Sequence, residues 1–152
     1  MFYFNGTKLL HQKVFGGNMD YNFTADKPIY LQIMDVFRTS IVSGELKPGD
    51  RVASVRDLAL QAKVNPNTMQ KALSELEREG LVVSERTTGR FITGDNKLIE
   101  TLKKDLVKTE MDAFLEKMES LNISTEFILQ YLEEKTGIRT TEGEINNDIY
   151  AK

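Results

Sequence analysis

All three prolines of this 152-residue chain stand where a helix opens or a turn closes, and that placement constrains its fold most. Pro28 follows Asp26-Lys27 at the first position of a helix, where a missing N–H costs nothing. Ile29, Ile33, Val36, Phe37 and Ile41 then recur at helical spacing until Gly44 supplies a stop. Pro48 lies in Leu46-Lys47-Pro48-Gly49-Asp50, which reads as a type II turn with glycine taking the positive φ. Pro66 follows Asn65 and opens a helix whose buried stripe is Met69, Ala72, Leu73 and Leu76, ended by Gly80. Between them Ser54-Val55-Arg56-Asp57 starts another helix, with Ser54 as cap, Asp57 answering it, and Leu58, Ala59 and Ala62 facing inward. Leu81-Val82-Val83 and Phe91-Ile92 then read as two short strands around Arg86-Thr87-Thr88-Gly89-Arg90.

The remainder has a different pattern. From Lys97 to about Leu121 there is no proline or glycine, and Val107, Met111, Phe114, Met118 and Leu121 fall at alternating intervals of four and three. That is a coiled-coil-like seam, which Leu98, Leu102 and Leu106 extend toward the first domain. Ser124 can cap a shorter helix carrying Phe127, Ile128, Tyr131 and Leu132, closed by Gly137. The expected organisation is a leader or tag-like segment outside the fold (1–18, with His11 in solvent), a folded domain over 19–94, a helical segment over 95–137, and a flexible tail over 138–152.

Composition removes most enzyme classes. With no cysteine and His11 the single histidine, thiolate sites, thiol nucleophiles and His-centred metal or triad chemistry have no residues to use. There is no P-loop and no paired acid–base constellation; Glu75, Glu77 and Glu79 read as solvated helix surface. The chain is therefore expected to be neither an enzyme nor a carrier of a cofactor or metal. No apolar run approaches the roughly 18 residues of a membrane span, so a cytoplasmic location is expected. The formal net charge is −3, unevenly spread. Lys27–Thr93 holds ten basic against eight acidic residues, and Gly94–Lys152 eight against thirteen, so only the middle of the chain could approach a polyanion.

Three helices and a hairpin make a winged helix-turn-helix, so the expected fold class is mainly α (α+β) with a two-helix C-terminal extension. Lys63-Val64-Asn65 is the short turn between its second and third helices. In that geometry the start of the third helix meets base edges in the major groove. Asn65, Asn67, Thr68, Gln70 and Lys71 occupy that start. Asn and Gln can pair bidentately with adenine, and Lys71 can reach guanine or phosphate. The bland alternative for all of them is a solvated helix face.

The surrounding residues narrow this. Pro28-Ile29-Tyr30-x-Gln32-Ile33, Gly44-x-Leu46-x-Pro48-Gly49-Asp50-Arg51-Val52, Ser54-Val55-Arg56-Asp57-Leu58-Ala59, Val64-Asn65-Pro66-Asn67-Thr68, Lys71-Ala72-Leu73 and Leu76-Glu77-x-Glu79-Gly80-Leu81-Val82 keep order and spacing. Together they resemble the N-terminal domain of the GntR family of bacterial transcription regulators over about residues 26–93. The resemblance implies that Ser54 and Arg56 grip phosphate or a guanine, and that Asn65, Asn67, Thr68, Gln70 and Lys71 read the groove. Ala53 stands where the family usually has proline, and the wing lacks the family's first glycine. Arg86, Gly89 and Arg90 are the wing candidates, Arg90 being either a basic contact or a strand residue paired with Glu85.

The short tail resembles that of the family's YtrA-like subgroup, which implies dimerisation. The residues give an independent reason: Val107, Met111, Phe114, Met118, Leu121 and Phe127 would be an exposed apolar stripe on a monomer. A second copy could bury it, or the last helix could fold back over it. Met111 and Met118 could instead line an adaptable ligand groove, so a small-molecule effector stays open. The expected function is a homodimeric transcription regulator, a repressor, binding double-stranded operator DNA with inverted-repeat symmetry. The competing expectation is a winged-helix protein-interaction module that never touches DNA.

Overall fold

A computed structural model of the chain describes residues 19–139 and, before them, three two-residue strands. Those strands are β1 (Tyr3–Phe4), β2 (Thr7–Lys8) and β3 (Val14–Phe15). Then follow α1 (Ile29–Val42), β4 (Arg51–Val52), α2 (Val55–Ala62), α3 (Pro66–Arg78), β5 (Val82–Glu85), β6 (Gly89–Ile92), α4 (Asn96–Ser120) and α5 (Thr125–Thr136). The chain divides into two compact units, residues 1–103 and 104–152.

In the first unit three helices pack over an antiparallel sheet of order β4-β6-β5. Ile33, Met34, Phe37 and Ile41 of α1, Leu58, Ala59 and Ala62 of α2, and Met69, Ala72, Leu73 and Leu76 of α3 form the core with Val52, Leu81, Val82 and Ile92. The helical stripes of the sequence therefore point where expected, with two exceptions on α1. Ile29 is exposed and Val36 half-buried, while Met34 fills the core. The turn before β4 has Gly49 at φ +82, and the Asp50 N–H donates to the Lys47 carbonyl at 3.0 Å, as a type II turn requires.

Two features differ from the sequence reading. β3 pairs in parallel with β4, Val14 beside Arg51 and Phe15 beside Val52, so the leading segment does not stand wholly apart from the fold. The first unit also runs on to Lys103 instead of ending near Gly94. Leu98, Ile99 and Leu102 of α4 pack against the core, and their burial carries the boundary two turns into that helix.

In the second unit, Ser124 caps α5 by accepting from the Phe127 N–H at 3.2 Å, and Gly137 closes it at φ +71. Ile128 is buried, and Met118 and Ile123 are half-buried. Val107, Met111, Phe114, Leu121 and Phe127 stay exposed, between 37% and 60%. The last helix does not cover the stripe. From residue 140 the expected flexible tail lies outside the described residues, as does His11.

Candidate nucleic-acid interface

The two helices of the candidate reading unit start from capped ends. Ser54 is extended (φ −63, ψ 152); its Oγ accepts from the Asp57 N–H at 3.1 Å and donates to the Asp57 carboxylate at 2.6 Å. This reciprocal cap leaves α2 beginning at the surface with Arg56 exposed in its first turn. At its other end α2 closes on Lys63, whose backbone is left-handed at φ 54, ψ 42. The Val64 N–H then donates to the Ala59 carbonyl at 3.0 Å, and the chain turns into Asn65.

Asn65 has a double duty. Its Oδ1 accepts from the Asn67 N–H at 2.8 Å, so the side chain caps α3 as well as standing at the exposed tip. Met69, Ala72, Leu73 and Leu76 seal one side of α3, and the periodicity throws Asn67, Gln70, Lys71 and Ser74 outward. Thr68 is half-buried. Gln70 Nε2 donates to Ser74 Oγ at 3.0 Å. Lys71 is less available than its outward position implied. Its ammonium sits 3.8 Å from the Tyr30 ring centroid, a cation–π contact with α1.

The wing is the β5–β6 hairpin, with Arg86, Thr87 and Thr88 exposed at its turn and Gly89 at φ +117. Arg90 does not pair with Glu85. Its Nε donates to the Glu77 carboxylate on α3, which also accepts from Ser84 Oγ at 2.7 Å. Partial burial pushes the Glu77 carboxyl up, but the hydrogen bonds from Arg90 and Ser84, with the guanidinium charge, hold it below the usual carboxylate range. Glu85 accepts from Thr88 instead. Nor are Glu75 and Glu79 merely solvated: Glu75 pairs with Arg78, and Glu79 with Arg38, which also reaches Asp35 at 2.9 Å.

These pairings divide the arginines of the first unit. Arg38, Arg78 and Arg90 are each tied to a glutamate. Arg51, Arg56 and Arg86 have no ion pair among the described residues, and all three are exposed, on β4, α2 and the wing turn. Arg51 was not among the residues the sequence singled out. A strand of two residues carries no readable alternation, yet it buries Val52 and turns Arg51 outward. The Arg51 guanidinium lies against Gly89: a Cβ built there would stand 3.5 Å from Nε and 3.6 Å from Nη2. Arg51, Ser54, Asp57 and Gly89 line one open cleft of about 440 Å³ between the start of α2 and the wing.

With this geometry in view, the similarities to known proteins are specific. The family model described as bacterial regulatory proteins of the gntR family matches residues 29–92. The HTH-type transcriptional regulator YhcF of Bacillus subtilis is 42% identical over 126 residues, covering 82% of this chain and 99% of YhcF. The HTH-type transcriptional repressor YtrA of the same organism is 38% identical over 100 residues, covering 66% of this chain and 72% of YtrA. Among solved structures, a GntR family transcriptional regulator from Listeria monocytogenes superposes with a TM-score of 0.67 at 38% identity, covering 74% of this chain and 98% of that one. A transcriptional regulator from Oenococcus oeni superposes at 0.64 and 28% identity, covering 76% and 97%. The relatives named here are transcriptional regulators, not enzymes.

Proposed function

The chain belongs to the GntR family of bacterial regulatory proteins, and we propose that it acts within it as a homodimeric repressor of an inverted-repeat operator. The observation that carries this reading is the start of α3: one face sealed by the core, the other presenting Asn67 and Gln70 at the surface behind a short turn from α2. Asn65, Thr68 and Lys71 flank that face. Ser54 and Arg56 at the start of α2 hold the phosphate backbone or a guanine edge. In the wing, Arg86 and the backbone at Gly89 approach the duplex, while Arg90 serves through Glu77 to hold the hairpin against α3.

The tail supports the dimer. Val107, Met111, Phe114, Leu121 and Phe127, with half-buried Met118, form an apolar stripe that none of the described residues of the unit covers, and a symmetric twin would. A two-fold dimer sets its reading helices one DNA turn apart, roughly 34–36 Å, or a multiple of that. Repression is the finer part of the reading, supported by the name of the YtrA relative. Selection of bound duplexes from a random-sequence pool tests the whole: palindromic enrichment is expected, and enrichment of single, asymmetric sites would overturn the symmetric dimer.

A further inference from the structure

We propose that Arg51 is a phosphate-binding residue of the interface, reaching the DNA backbone from the cleft between the start of α2 and the wing. The inference rests on the DNA-binding reading above and gives a role to a residue that the motifs include but to which neither they nor the helix-turn-helix pattern assign a contact.

Four observations meet at this residue. Val52 is buried in the sheet, so the alternation of the strand directs Arg51 away from the core. Its strand is held in register by β6, Arg51 opposite Phe91, which fixes the Arg51 backbone relative to the wing. The guanidinium lies beside Gly89, where a Cβ would stand in ordinary contact at 3.5 Å from Nε, and the φ of +117 at that glycine is what disfavours a side chain there. It also shares the cleft with Ser54, at the capped start of α2.

Charge supplies the rest. The unit neutralises three of its arginines with glutamates and leaves Arg51, Arg56 and Arg86 without a carboxylate among the described residues. The two other unpaired arginines stand on the α2 and wing elements that bracket Arg51. A guanidinium has five N–H donors in a fixed fork that suits phosphate oxygens. Arg51 sits on a strand behind the start of α2, not on the reading face of α3, so the backbone and not a base edge is its partner.

The test compares wild type, Arg51→Gln and Arg51→Lys on two probes: a duplex recovered by selection and a duplex of mixed sequence, each titrated across a salt series. Thermal unfolding confirms that the exposed substitution leaves the fold intact. Arg51→Gln should weaken both complexes by about tenfold and lower the slope of log affinity against log salt by about one, as loss of one phosphate contact predicts. Arg51→Lys should keep the slope. Wild-type binding with Arg51→Gln indistinguishable from it would overturn the proposal while leaving DNA binding standing. A loss confined to the selected duplex would mean a base contact, and an Arg51→Lys defect equal to that of Gln would mean packing on Gly89; either also overturns it. Failure of wild type to bind either duplex would sink the DNA-binding reading and this inference with it.

Discussion

The Glu77 carboxylate on α3 and the Arg90 guanidinium on β6 form the joint between the reading helix and the wing, with Ser84 Oγ as a second donor at 2.7 Å. Both partners are about three-quarters buried, at 28% and 25% side-chain exposure, so the pair is shielded more than an ordinary surface bridge. The wing therefore takes its bearing from the same helix that carries the proposed reading face.

This joint has a definite pH signature. A carboxyl held low in the folded chain stays charged where the unfolded chain, with glutamate at about 4.3, has begun to protonate. Its contribution is full above that value and is lost as pH falls through the lower folded one. Glu77→Gln should melt below wild type at neutral pH, and the two melting curves should converge on acidification. A constant gap across the pH series would show that the charge of Glu77 is not what matters.

Arg56→Ala removes an exposed guanidinium that has no ion pair among the described residues, so folding should be unaffected while operator affinity drops by about 1–3 kcal/mol. Gel-shift titration reads it; unchanged affinity removes Arg56 from the interface.

Asn65 can be split into its two duties. Asn65→Ala loses the cap on the Asn67 N–H and should lower stability by about 1 kcal/mol. Asn65→Asp keeps the cap and the stability, but sets a carboxylate where phosphates approach, so its DNA affinity should fall. Equal DNA affinity for Asn65→Asp and wild type would place Asn65 away from the duplex.

Met111→Glu combined with Phe114→Glu places two charges on the uncovered tail stripe. Sedimentation should report monomers with weakened operator binding. An intact dimer would move the interface off this stripe.

How much of this was legible depends on the distance over which the signal runs. Prolines, caps and glycine stops act within a turn, so Ser54, Asn65, Gly80, Ser124 and Gly137 announced their helix ends, Pro28 stands as the N-cap one residue before the helix it was expected to begin, and the stripe of α3 appeared residue for residue in the core. The pairings of Glu77 with Arg90 and of Glu79 with Arg38 span 13 and 41 residues and join different elements. No periodicity encodes them, and these glutamates read as plain surface. Lys71 met the same fate, since Tyr30 lies on another helix. Arg51 was hidden by brevity, because two residues of strand cannot show which of them points inward.

Lys63 carries one last consequence. Its left-handed backbone bends the chain between α2 and α3, at a cost of roughly 1–2 kcal/mol for an ordinary side chain. The lysine is exposed, yet a saturation library at this codon should enrich glycine and asparagine and deplete valine, isoleucine and threonine as sharply as at an interior position. Tolerance here follows the torsion angle, and a mutational map scored by solvent exposure alone would misjudge the site.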